Sequence, residues 1–185
     1  MTAPRDAQKL NPEPIVAPIE YLGMTVLLNE ADQVNRAYFE HCARHKFHLQ
    51  SCKACHLLRY PPAPACPWCS GAESEWIPVD AKGTVYSYYE VVHPIQPGFK
   101  PYLPYLVLLV ELDTQRARPT EHESIRMLGN LVTGDGRLAP PELVAQVGIG
   151  TRVRMTFTDI APAFAIPQWM IDDSGAQRAP WRYPG

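Results

Sequence analysis

Cys52-Lys53-Ala54-Cys55 and Cys66-Pro67-Trp68-Cys69 are two Cys-x-x-Cys pairs separated by ten residues. Two thiolates placed two residues apart grip one side of a metal ion, and two such pairs close a tetrahedron. The set leaves no open position for a substrate, which is the pattern of a structural zinc site. Four thiolates accept iron as well. The spacing therefore assigns Cys52, Cys55, Cys66 and Cys69 as metal ligands. Between the pairs runs Leu57-Leu58-Arg59-Tyr60-Pro61-Pro62-Ala63-Pro64, which predicts a short strand and a proline-stiffened return to the metal. A module this small has too little apolar surface to fold alone, so the metal supplies much of its folding free energy.

The totals bound the rest. At 185 residues the chain holds one ordinary domain, or a small module and a compact one. Hydrophobic residues at 46% and charged residues at 19% describe a globular chain with a real core. A net charge of −2 and a pI near 6.3 give none of the basic excess of a general nucleic-acid binder. Twenty prolines argue for loops and short strands rather than long helices. Of the five cysteines, only Cys42 lies outside the two pairs. No basic-then-apolar leader stands at the N-terminus, and the apolar run 21–28 is too short to span a bilayer. Reduced thiols holding a metal in the cytoplasm, with no membrane partner, are the expectation.

Outward from the cysteines, the chain divides into five parts. Residues 1–28 carry four prolines among polar residues and read as an extended arm. Residues 29–48 read as a helix with Asn29 as N-cap, and Val34, Ala37, Tyr38, His41 and Cys42 on one face. Cys42 there is read as a small buried hydrophobe. Residues 49–80 are the metal ribbon. Residues 81–172 carry five predicted strands, at 83–92, 105–112, 125–132, 151–158 and 165–171, with a helical turn at 140–147. The second is a near-continuous apolar run and reads as a central strand. Pro167 places the last at an edge. Residues 173–185 read as a loose tail. Five strands with a short helix between the third and fourth fit a small Greek-key barrel of the OB type. A generic antiparallel barrel fits the composition nearly as well.

The order of short motifs adds a resemblance. A helix is followed by the first cysteine pair, Tyr60-Pro61-Pro62, Cys66-Pro67-Trp68-Cys69, Trp76 and Gly83-Thr84-Val85-Tyr86-Ser87-Tyr88. Then come His93-Pro94, Leu103-Pro104-Tyr105, Val110-Glu111-Leu112-Asp113, Leu128-Gly129-Asn130-Leu131-Val132 and Ile149-Gly150. Over residues 35–171 this resembles the zinc-ribbon/OB-fold family once called domain of unknown function 35. The resemblance implies a mainly β fold: an N-terminal helix, a rubredoxin-like zinc ribbon and a five-stranded OB barrel. It implies a non-catalytic accessory or scaffold subunit in a hetero-oligomer with a thiolase-superfamily enzyme. That partner would be a thiolase, aldolase or acyltransferase acting on CoA thioesters, and the subunit would support its activity or border its substrate channel. The family's metal ligands carry over onto Cys52, Cys55, Cys66 and Cys69. Family knuckles favour glycine just after each second cysteine, where the chain turns with positive φ. Here those positions hold His56 and Ser70. The loop 114–124 and the arm before residue 30 are longer than the family's.

Other readings compete with each feature. Cys52-Lys-Ala-Cys55-His56 matches the haem attachment motif, but haem would need export and would leave the second pair unexplained. Tyr86 with Tyr88, and Arg152 with Arg154, alternate on strands and sketch a platform for single-stranded nucleic acid, against the overall charge. A stand-alone acyl-CoA-binding protein is a third possibility. No nucleophile, base and orienter can be matched, so no catalytic residue is assigned. The loop 93–105 sets Phe99, Tyr102 and Tyr105 among prolines, with His93 at its start. It is a partner surface or a lid over the barrel's end, and Lys100 is placed to meet a CoA phosphate.

Overall fold

The computed structural model describes residues 18–27 and 33–184. It opens with a hairpin, β1 (Pro18–Tyr21) paired antiparallel with β2 (Met24–Leu27). Leu22 and Gly23 turn it with φ of 50° and 70°, the left-handed pair that a two-residue hairpin requires. The extended arm expected over residues 1–28 is corrected for 18–27, and its other residues lie outside those described. The physical reason is burial. Ile19 is buried, and the turn rests on Gly98, where a Cβ would stand 2.3 Å from the Leu22 carbonyl oxygen.

Helix α1 (Gln33–Ala43) is shorter than the expected 29–48, and Asn29 lies outside the described residues. The helix stops because His45 takes φ 53° and closes a Schellman-type end. Its N–H donates to Cys42 O, and the Lys46 N–H donates to His41 O. Tyr38 and Cys42 are buried, as the helical spacing required. Phe39 packs on Phe164 of the barrel, ring centroids 4.4 Å apart, while His41 stacks on His48 of the ribbon at 4.1 Å. The helix thus joins the two parts.

The ribbon is a three-stranded sheet in the order β4-β3-β5, with β3 (His48–Cys52), β4 (Leu58–Arg59) and β5 (Ser74–Pro78). The barrel follows as β6 (Lys82–Val91), β7 (Tyr105–Leu112), β8 (Arg126–Asn130), β9 (Arg152–Ala161) and β10 (Phe164–Ile171). Helix α2 (Pro141–Val144) sits between β8 and β9. The five strands run β10-β9-β6-β7-β8, and a parallel bridge from Leu131 to Trp169 closes the sheet on itself. This is the five-stranded OB arrangement. Its core is Val85, Leu106, Leu108, Val110, Met127, Val153 and Trp169, continuous with Phe47, Leu49 and Leu58 of the ribbon side.

One expectation holds here and one changes. Strand β7 lies between β6 and β8, the central place expected of it, and is buried at every second residue, so Tyr105, Val107 and Leu109 face outward half-exposed, as an antiparallel sheet permits. The tail expected to be loose is docked over its described residues. Trp181 exchanges backbone hydrogen bonds with Ile149. Arg182 donates to the carbonyl of Val144, which also accepts the Val147 N–H, and to that of Val147, and it pairs with Glu90.

Candidate metal centre and partner surface

Strand β3 delivers Cys52 to the first knuckle, where the His56 N–H donates back to Cys52 O at 2.9 Å. The second knuckle repeats this from Ser70 N–H to Cys66 O, also 2.9 Å. His56 and Ser70 take φ of 58° and 62°, so the turns keep the left-handed geometry without glycine. The four Sγ atoms lie within 4.8 Å of one another. Cys52 to Cys69 and Cys55 to Cys66 are each 3.6 Å. A tetrahedral ion with metal–sulfur bonds of about 2.3 Å needs sulfur separations of about 3.8 Å, so the four cysteines fit one ion. All four are free thiols. Backbone N–H groups of Cys55 and Ala54 aimed at Cys52 hold its thiol down, to about 6. Because Cys52 and Cys55 converge on the second pair, no separate thiol pair is left for haem.

The structure divides the loop residues. His93, Lys100 and Tyr102 are exposed, and Phe99 and Tyr105 are half-buried. Phe99 lies 5.1 Å from the Tyr105 ring and 6.3 Å from Tyr21 of the hairpin. Burial pushes the Tyr105 hydroxyl up. Inner aromatics therefore hold the loop down, and Tyr102, Lys100 and His93 stay at the surface. Beside them Ile95 is 98% exposed, a residue the sequence reading passed over. Tyr86, Tyr89 and Leu128 add exposed apolar area on the barrel's outside. The signal for this face was present: 105–110 is apolar at both strand parities.

The nucleic-acid platform does not form as the alternation predicted. A register shift between Val85 and Ser87 throws Tyr86 out of phase. Tyr86 is exposed under the Arg126 guanidinium, while Tyr88 pairs opposite core Leu108 and lies under Arg182. Arg152 is engaged by Asp113, and that contact holds the Asp113 carboxyl below the usual carboxylate range. A pair that sequence could not foresee is His45 Nε2 to Asp159 at 2.8 Å, with His45 stacked on Phe157. It lines an open cleft of about 670 Å³ with Ala43, Arg44, Ile160, Ala161 and Pro162, none of which offers a hydroxyl or thiol.

Residues 76–158 match the family model described as ChsH2, C-terminal OB-fold domain. A probable enoyl-CoA hydratase alpha subunit of Thermomonospora curvata is 35% identical over 135 residues, 72% of this chain and 36% of the relative. A DUF35 domain-containing scaffold protein of Methanocaldococcus jannaschii is 32% identical over 110 residues, 59% of this chain and 65% of the relative. Among solved structures, the Ltp2-ChsH2(DUF35) aldolase contains a similar chain, with TM-score 0.59 and 30% identity. That match covers 76% of this chain and 95% of the aldolase's. The chain spans about a third of the length of the hydratase subunit it matches, at 36%.

Proposed function

The chain belongs to the DUF35 family, and from that premise we propose that it is a non-catalytic accessory subunit of an acyl-CoA enzyme of the thiolase superfamily. The match to nearly the whole of the ChsH2(DUF35) chain of an aldolase carries this reading. The scaffold relative's name supports an accessory role, and the hydratase alpha subunit's name supports the acyl-CoA context.

The four thiolates hold zinc, whose preference for a closed tetrahedral sulfur set matches the cluster geometry. The zinc orders the ribbon and takes no part in a reaction. The partner docks on the exposed side of the loop, with Tyr102 and Ile95 as apolar anchors, His93 and Lys100 at the rim, and Phe99 and Tyr105 bracing them from beneath. Lys100 there borders the partner's channel and meets the phosphates of CoA. No helix among the described residues is long and apolar enough to cross a membrane. The complex works in the cytoplasm, where the thiols stay reduced.

Co-expression with a thiolase-superfamily protein encoded beside this chain tests the proposal. The two should elute together from a sizing column, and the enzyme's acyl-CoA activity should depend on the complex. Tyr102→Ala should weaken the complex by roughly tenfold or more, as loss of an interface aromatic does. Separate elution with unchanged enzyme activity would end the accessory-subunit reading.

A further inference from the structure

Arg59 is 2% exposed, and its Nε, Nη1 and Nη2 atoms make no hydrogen bond. A guanidinium stays charged in a protein. Buried charges need a counter-charge, because desolvation without one strongly opposes folding. Strand register shows where that counter-charge stands. Arg59 lies opposite Gln50 of β3, so its side chain shares a sheet face with His48, Gln50 and Cys52. Cys52 and His48 are its two diagonal neighbours, about 7–8 Å away, a separation within reach of long side chains. His48 brings no negative charge. Trp76, opposite Gln50, is covered from α1 by Tyr38 and His41. Burial pushes the Cys42 thiol of that helix up to about 12, which keeps it neutral. Glu75 lies opposite Ser51 and projects from the other face, and Glu73 is at the surface, 3.6 Å from Lys53. Among the described residues in register on this face, Cys52 alone becomes an anion, and it is buried as Arg59 is. Four thiolates of −1 each around a divalent ion sum to a net charge of −2.

We propose that Arg59 is the counter-charge of the metal centre and biases the four thiolates toward a divalent ion. A trivalent ion such as ferric iron would leave the centre at −1 and gain less from the guanidinium. No Arg59 N–H is hydrogen-bonded to a sulfur, so Arg59 acts through its charge in a low-dielectric interior, where Coulomb interactions are strong. Metal loading and the burial of Arg59 then support each other, each supplying the charge that the other needs. The inference rests on the metal reading of the four cysteines and is independent of the partner enzyme.

The test uses the full chain, loaded with zinc and separately with iron. Arg59→Met removes the charge, and Arg59→Lys keeps it. Against a competing chelator, Arg59→Met should hold zinc about tenfold to a hundredfold more weakly, the scale of losing a group that supports a metal's ligands. Arg59→Lys should stay closer to the wild type. In the iron-loaded chain, loss of a positive charge beside the centre favours the ferric state. The reduction potential of Arg59→Met should therefore fall, and that of Arg59→Lys should return toward the wild-type value. A role in packing alone would not move the potential in step with charge. Should Arg59→Met leave the ribbon unfolded, Arg59→Gln makes the same comparison with a polar, uncharged side chain. Unchanged zinc affinity and potential in the uncharged variants, or an Arg59→Lys that falls as far as they do, would overturn the proposal while leaving the metal reading intact. A wild type that holds no metal would overturn both.

Discussion

The ribbon and the barrel reach order by different routes. The barrel strands run from five to ten residues and bury a row of aliphatic side chains around Trp169. The ribbon strands run from two to five residues, and β4 contributes only Leu58 and Arg59. On the proposed zinc reading, one structure is held by many interchangeable contacts and the other by four side chains that have no substitutes. The difference teaches where the chain is fragile: a single change can dismantle the ribbon but only dent the barrel. The two are also not independent, since Leu49 and Leu58 belong to the same core as Leu106 and Met127.

The hardest test of that contrast is to remove one thiolate. A structural zinc site contributes on the order of 10 kcal/mol to folding, and three thiolates cannot hold the ion as four do. Cys52→Ala should therefore abolish tight metal binding and open the ribbon, while β6–β10 stay folded. Metal analysis should fall from one ion per chain to a small fraction. Hydrogen exchange should accelerate across β3–β5 and spare the barrel strands. Chelation of the wild type should reproduce the pattern. Retention of a full ion by the variant, or loss of both halves together, would break the comparison.

The seam between the halves gives a smaller effect. The Gln115 side chain accepts the Leu58 N–H at 2.6 Å and donates to the Leu58 carbonyl at 3.0 Å, so a barrel loop acts as a further strand for β4. Gln115→Ala leaves both backbone groups without this partner and should destabilise the ribbon by about 1–3 kcal/mol. Exchange at Leu58 should quicken while exchange in β7 does not. An unchanged Leu58 would mean that the seam is held elsewhere.

What was legible in the sequence follows from the same contrast. The convergence of Cys52, Cys55, Cys66 and Cys69 was legible because metal-ligand spacing is a local rule. The barrel strands were legible because alternation of apolar residues is local too, and the bounds of β7 matched at both ends. Contacts set by distant partners were not. The apolar run 21–28 announces docking on the chain's own core or on a partner, but not that residues 18–27 form a hairpin whose turn rests on Gly98. Nothing in the tail announces that Arg182 finds the carbonyls at the end of α2. His45 meets Asp159 across 114 residues. The bulge at Tyr86 is a register event that alternation cannot express. His56 and Ser70 were legible as departures from the glycine that the family's knuckles favour, and the structure gives both a positive φ.

Those two residues give the smallest and sharpest test, because they ask whether the knuckles are held by the metal alone or also by their backbone. A non-glycine residue in the left-handed region carries strain of about 1 kcal/mol, which glycine relieves. Glycine also gains freedom in the unfolded chain, which offsets part of the relief. His56→Gly and Ser70→Gly should each be neutral or stabilising by about 0.5 kcal/mol, read as slower metal release to a competing chelator. Gly71 supplies the opposite sign one residue away. A Cβ there would lie 3.3 Å from Sγ of both Cys52 and Cys69, so Gly71→Ala should crowd the sulfurs and speed metal release. Slower release on the first two and faster release on the third would place the knuckle's fine geometry in its backbone. Three variants that release metal at the wild-type rate would leave the four thiolates as the whole of what holds the ribbon, making the contrast with the barrel sharper still.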